Sequence, residues 1–119
     1  MSDPVRCWLV RFSAAAERDF QRIVEWTVDE FGLAQARAYA QTLSMALEAL
    51  QEGPSVVGAK RRDEILNGLF SFHVARKGRK GRHFILFRVA QRGNVVEVLR
   101  LLHDSMDLRR HLEGVDDAG

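Results

Sequence analysis

The stretch Gly81–Leu112, GRHFILFRVAQRGNVVEVLRLLHDSMDLRRHL, decides the fold. His83 to Val89 is a strand-forming run rich in β-branched and aromatic residues, with one charge at Arg88. Gln91, Arg92, Gly93 and Asn94 make a polar turn, and a second run, Val95 to Leu102, is interrupted only by Glu97 and Arg100. Two such runs around a Gly-Asn turn predict a β-hairpin. With Arg92-Gly93 as a two-residue turn, Arg88 falls opposite Glu97, and a cross-strand ion pair satisfies both charges. Strict alternation sets Phe84 and Leu86 against Ile85, Phe87 and Val89. In the second run it sets Val96, Val98 and Leu102 against Val95, Leu99 and Leu101. Strands that are apolar on both sides want cover on both faces.

Upstream of the hairpin, Val5 to Phe12 reads as a first strand. Ser13 is placed to cap a helix, with Glu17 and Asp19 early, where carboxylates suit the positive end of the helix dipole. Phe20, Ile23, Val24, Thr27, Val28 and Phe31 then recur at helical spacing, and Gly32 ends the helix. Ala36, Tyr39, Ala40, Leu43, Ala46, Leu47 and Leu50 form the stripe of a second helix that stops at Gly53-Pro54. With almost no linker between them, the two helices make an antiparallel hairpin. Gly53 to Glu64 reads as a loop with a basic centre. Ile65 to Ala75 holds the next strand, from Leu69 onward, since Asn67-Gly68 reads as a turn. Arg76 to Gly81 is a basic connection, Asp104 to Leu112 has helical composition, and Glu113 to Gly119 reads as an acidic tail.

The predicted fold is α+β with the order β-α-α-β-β-β, a helical hairpin on one face of a small, mainly antiparallel sheet. The first strand is expected at an edge or beside the last one. All 119 residues are read as a single domain, with residues 5–112 as the core and 113–119 as the tail. Two helices cover one sheet face only, so the other is expected to keep apolar side chains for a partner.

Charged residues make up 29% of the chain and hydrophobic ones 46%, the balance of a soluble globular protein. Cys7 is the only cysteine, which excludes an internal disulfide framework and a cysteine-rich metal site and suits a reducing cytoplasm. No secretory leader and no membrane span is legible. The net charge of +2 hides two basic clusters, Lys60-Arg61-Arg62 and Arg76, Lys77, Arg79, Lys80 and Arg82. Such clusters suit a nucleic-acid or acidic partner, or a solvated loop. No histidine spacing suggests a metal site, and no cofactor is implied.

Several segments together carry a family resemblance: Glu52-Gly53-Pro54 closing the helical hairpin, NGLFSFHV (Asn67–Val74), GRHFILFRV (Gly81–Val89) and VVEVLRLLHDSMDLRRHL (Val95–Leu112). The most specific piece is Leu102-His103 followed by Met106-Asp107. From roughly Val5 to Leu112 the chain resembles the RelE/ParE superfamily of bacterial type II toxins, in its ParE branch. A departure is the connection Arg76–Gly81, where many relatives turn more tightly. The resemblance implies the fold derived above and a cognate, ParD-like antitoxin that covers exposed apolar surface. Phe72, Phe84, Leu86, Val96 and Val98 are the residues expected to meet it. It also implies that operator DNA is met only through the antitoxin.

Within the superfamily, RelE-like toxins cut mRNA in the ribosome and ParE-like toxins poison DNA gyrase. RNA cleavage needs a base for the 2′-hydroxyl, a cation for the phosphate and an acid for the leaving oxygen. Phe84 stands where the nucleases carry a strand arginine, and the lone tyrosine, Tyr39, is expected far from the site. A nuclease reading falls back on Arg100, His103 and His83, although Arg100 and His103 point to opposite strand faces unless a bend intervenes. His103 equally reads as a cap of the junction into the terminal helix. The expectation is a gyrase inhibitor that acts by binding, with no catalytic residues. Its expected target surface is Arg76, Lys77, Arg79 and Lys80 with Met106, Asp107, Arg109 and Arg110. The alternatives are a ribosome-dependent mRNA endoribonuclease and an inactive, toxin-like binding module.

Overall fold

A computed structural model describes residues 7–112. Val5 and Arg6 of the expected first strand and the acidic tail Glu113–Gly119 lie outside the described residues. In chain order the elements are β1 (Leu9–Phe12), α1 (Ala14–Phe31), α2 (Leu33–Ala49), a single 3₁₀ turn (Leu50–Glu52), β2 (Lys60–Arg61), β3 (Phe70–His73), β4 (His83–Val89), β5 (Val95–His103) and α3 (Leu108–His111). The strands form one mixed sheet in the order β1-β5-β4-β3-β2. Only β1 and β5 run parallel. The α+β architecture is the expected one, and β1 sits both at an edge and beside β5. Among the described residues, no helix is long and apolar enough to cross a membrane.

Local chemistry explains the helical hairpin. The Ser13 hydroxyl accepts from the Ala16 N–H at 3.0 Å and caps α1. Gly32 then adopts φ +92°, a conformation that an L side chain resists, and serves both as the end of α1 and the start of α2. The α1 stripe is only partly core. Phe20 and Ile23 pack inward, whereas Phe31 is 63% exposed.

The strand of Lys60–Arg61 was not expected, since two exposed, charged residues carry no strand pattern. It pairs antiparallel with Phe70 and Ser71, and Arg61 covers the Phe70 ring at 5.4 Å. Charged side chains on so short an edge strand also discourage edge-to-edge pairing.

The β4–β5 register departs from strict alternation. Arg88 does stand opposite Glu97, with a 3.2 Å ion pair. Between Val98 and Arg100, however, Leu99 is an extra residue, so Phe87 faces Val98 while Leu86 faces Arg100. Beyond this bulge the sides exchange. Leu101 joins Val96 and Val98 in the core under the helices, and Leu102 joins Leu86 on the opposite face.

That opposite face is covered, contrary to the expectation of an open one. Leu69, Leu86, Leu102 and Leu112 are buried together beneath Ile65, Leu66 and Leu108, supplied by the loop before β3 and by the C-terminal segment. The larger core, under α1 and α2, holds Leu43, Leu50, Phe72, Ile85, Phe87, Val96 and Val98, all at most 1% exposed. Burying each Phe or Leu removes roughly 1.5–3 kcal/mol of unfavourable hydration.

One seam ties α1 to the bulge. Past the end of β1, the Ser13 N–H donates to the Val98 carbonyl at 3.0 Å and the Ser13 hydroxyl to the Leu99 carbonyl at 2.9 Å. The buried Asp19 accepts from the Leu101 N–H at 2.9 Å and from Arg100 Nε and Nη2 at 2.8 and 3.0 Å. Removing one member leaves a charge and a backbone donor without partners. Asp19→Ala is expected to lower stability by about 3 kcal/mol, read as a fall in urea midpoint at unchanged m-value. A loss below 1 kcal/mol would show that water replaces the pair. In the β3–β4 connection, Lys77 (φ +54°) and Gly78 (φ +81°) sit inside an Arg79 N–H to Arg76 carbonyl bond, the pattern of a type I′ turn. Asn fits the first position better, so Lys77→Asn is expected to raise stability by roughly 0.5–1 kcal/mol, seen as a higher melting temperature.

Candidate functional site

One end of the sheet gathers most of the polar side chains that carry chemistry. Here β3 ends at His73, β4 begins at His83 and β5 ends at His103, so the strand order brings three histidines to one edge. His83 and His103 are direct cross-strand partners with ring centroids 5.3 Å apart. The bulge at Leu99 sets the side on which His103 lies.

Tyr39 belongs to this cluster, which corrects the expectation that it lies far away. Its helical position, one turn before Leu43, aims it at the start of β4. The hydroxyl accepts from the Arg82 N–H at 3.0 Å and lies 2.7 Å from His83 Nδ1. A tyrosine has one proton to donate, and giving it to Nδ1 leaves the His83 proton on Nε2. Burial is the main reason that the His83 imidazole resists protonation, with its pKa pushed down to about 4. The His103 and His73 rings add to that, while Asp104 and Asp19 oppose it. Burial likewise pushes the Tyr39 phenol up.

Asp104, just past β5, holds the outer half of the cluster. It bonds His73 Nε2 at 3.0 Å and pairs with Arg82 at 3.4 Å. The His73 hydrogen bond is the main cause of its lowered carboxyl pKa, helped by Arg82. His103 turns Nδ1 to the Ser105 hydroxyl and N–H, at 2.8 and 3.1 Å, so it caps the turn that follows β5. Arg100 is not part of this group. Asp19 and the His111 carbonyl hold it, and the Asp19 hydrogen bond raises its pKa further. Of the three nuclease candidates, the fold therefore brings His83 and His103 together and commits Arg100 elsewhere. Among the described residues, no group of three or more His, Cys, Asp or Glu is placed to hold a metal ion.

The expected target surface divides by engagement. Lys77, Lys80, Met106, Asp107 and Arg110 are exposed. Arg76 lies over the Phe72 ring at 5.2 Å, Arg79 bonds the Thr42 hydroxyl and the Ala38 carbonyl, and Arg109 bonds the Glu64 carbonyl. The basic connection and the start of the C-terminal segment do share the histidine end of the sheet.

The five residues expected to meet a partner are placed differently from the expectation. Phe72, Val96 and Val98 are buried beneath the helices, and Leu86 is buried in the second cluster. Phe84 is half-buried against His73, with ring centroids 5.0 Å apart. Four of the five therefore hold the fold together and present no surface. The open apolar surface lies along β1 and the helices instead. Leu9 (57%) and Phe12 (42%) are exposed there, beside a groove of about 370 Å³ lined by Val10, Phe12, Phe20 and Leu47.

The His83 environment sets a pH dependence. The unfolded chain takes up this proton below about pH 6.5, whereas the folded chain refuses it until about pH 4. In that window the unfolded state binds more protons, so stability is expected to fall as pH drops from 6.5 towards 4. The slope of the urea midpoint against pH should be shallower in His83→Gln, and an unchanged slope would assign the effect to another group.

Comparison with known proteins points one way. The family model described as the ParE toxin of the type II toxin–antitoxin system parDE matches residues 10–108. The chain is 33% identical over 102 residues to Toxin ParE1 of Caulobacter vibrioides, covering 86% of this chain and 95% of that one. It is 32% identical over 100 residues to Toxin ParE1 of Mycobacterium tuberculosis, covering 84% and 93%. In structure it shares its fold with the chromosomal ParDE toxin–antitoxin system of P. aeruginosa, at TM-score 0.68 and 17% identity over 83% of this chain and 98% of that one. The toxin–antitoxin complex RelBE2 of M. tuberculosis follows at TM-score 0.52 and 26% identity, over 82% and 98%. A family match across most of the chain, relatives of nearly equal length and a shared fold make this protein a member of the ParE toxin family of type II toxin–antitoxin systems.

Proposed function

We propose that this chain poisons DNA gyrase by binding it, without catalytic residues of its own, and that a cognate ParD-like antitoxin neutralises it. The observation that carries the reading against a nuclease is the state of Arg100. A strand arginine that stabilised a scissile phosphate would need its guanidinium turned to the ligand, whereas Asp19 takes two of its N–H groups and the His111 carbonyl a third. The target surface proposed is the exposed part of the basic end, Lys77 and Lys80 with Met106 and Arg110. Positive charge there favours approach to an enzyme that holds DNA.

For the antitoxin, the surface proposed is the β1 edge and the groove beside it, centred on Leu9, Phe12 and Phe20. An exposed four-residue edge strand offers unpaired backbone groups, and the neighbouring apolar side chains offer area to bury. A second reading, mRNA cleavage, draws on the meeting of Tyr39, His83 and His103 at one end of the sheet.

The experiment is pulse expression without antitoxin, following labelled thymidine and labelled methionine in one culture. DNA synthesis is expected to fall first. An earlier fall in protein synthesis, abolished by His83→Ala or His103→Ala, would replace the gyrase reading with the nuclease. Continued growth with both labels unaffected would leave only a binding module. The two surfaces are expected to separate by mutation. Replacing Lys77, Lys80 and Arg110 by Ala should reduce killing at least tenfold while antitoxin affinity holds. Phe12→Glu should keep killing and weaken antitoxin binding at least tenfold, measured by co-purification and by calorimetry.

A further inference from the structure

Beside the histidine cluster, on the helix side of the sheet, lies a cleft of about 790 Å³. The last turns of α1 supply Trp26 and Phe31, α2 supplies Tyr39, and the β3–β4 connection supplies Arg79, Lys80 and Arg82. Among the described residues no carboxylate lines it, and the nearest one tied to its wall is Asp104, paired with Arg82 at 3.4 Å. Its volume is within the range of small-molecule sites.

Two features distinguish this cleft from an incidental gap. Trp26 and Phe31 are 58% and 63% exposed and pack edge to face with centroids 5.7 Å apart. They present aromatic surface to water in a protein that buries Phe72 and Phe87 completely. The basic wall is also held in place. Arg79 anchors the connection to Thr42 and Ala38 on α2, and the Tyr39 hydroxyl holds the Arg82 N–H. Gly81 lets the connection close down, since a Cβ there would stand 2.5 Å from Val74 Cγ2. A fixed wall loses little freedom when a ligand arrives.

From this pairing of wet aromatics with a basic rim, we propose that the cleft binds a free nucleoside phosphate, base on Trp26 and Phe31 and phosphate on Lys80 and the Nη groups of Arg82, whose Nε pairs with Asp104 at 3.4 Å. A flat base stacks on aromatic side chains, and guanidinium and ammonium groups take phosphate oxygens. Gln35, also on the wall, offers an amide donor and acceptor to a base edge. A free nucleotide suits the cleft better than a polynucleotide strand. The cations sit on one rim, while Glu25, Asp29 and Glu30 line the exposed side of α1 next to the aromatics and would oppose further phosphates. The cleft shares Lys80 with the proposed target surface, but the binding of a free nucleotide is read by calorimetry whichever target the toxin poisons.

The test is isothermal calorimetry on the full chain with ADP, adenosine, pyrophosphate and an eight-residue oligoadenylate. ADP is expected to bind with a Kd below 1 mM, and adenosine and pyrophosphate each at least tenfold more weakly. Arg82→Ala and Trp26→Ala should each weaken ADP at least fivefold, while Lys60→Ala, on the far sheet edge, should leave it unchanged. In a Trp8→Phe background, ADP should also quench the fluorescence of Trp26. Absence of ADP binding at 5 mM overturns the proposal, as does ADP affinity unaltered in both cleft variants. Pyrophosphate binding as tightly as ADP would reduce the cleft to an anion site. Oligoadenylate binding more than tenfold tighter than ADP would assign it to a strand, and either result overturns the proposal.

Discussion

The fold depends on how α1 meets the free edge of β5. A parallel partner, β1, serves that edge only as far as Val98, and then the chain must leave the sheet to begin a helix. Ser13 and Asp19 continue the ladder: the Ser13 N–H satisfies the Val98 carbonyl, the Ser13 hydroxyl the Leu99 carbonyl, and the Asp19 carboxylate the Leu101 N–H. Because buried backbone groups must find partners, this seam fixes the helix against the strand at the place where the strand bulges. Arg100, the charge that would otherwise be stranded beside the bulge, completes the seam through Asp19.

Much follows from the bulge. It moves Leu101 beneath the helices and Leu102 to the opposite face, so both layers of apolar side chains close. It also sets His103 opposite His83, within reach of the cluster that Tyr39 and Asp104 complete. The same irregularity thus seals the core and builds the polar end of the sheet. The cost of a non-ideal strand is offset by the bonds from α1.

Charge is divided between work inside the fold and display outside it. Arg100, Arg88, Arg79 and Arg109 are drawn into contacts with carboxylates, a hydroxyl and carbonyls of the chain. Lys77, Lys80 and Arg110 stand in water. Catalysis by charge needs that charge aimed at the reacting group, and the Arg100 guanidinium is turned instead to Asp19 and the His111 carbonyl. The exposed aromatics of α1 and the bare edge of β1 are the remaining surfaces on which recognition could rest.

Periodicity and capping chemistry by themselves determined the helical hairpin, with its breaks at Ser13 and Gly32, and the β4–β5 hairpin with Arg88 opposite Glu97. These are local consequences of residue order, since a helix repeats every 3.6 residues and a hairpin turn sets its own register. The resemblance of the motifs to one toxin family was legible for the same reason. Four things were decided only in three dimensions: the two-residue strand at Lys60, the bulge at Leu99, the cover over the second sheet face and the place of Tyr39. Each depends on contacts between segments distant in sequence, where a single unpaired residue reverses the side that every later side chain faces. The buried state of Phe72, Leu86, Val96 and Val98 is of this kind too. An apolar side chain looks the same in sequence whether it is held in a core or offered to a partner, and only packing distinguishes the two.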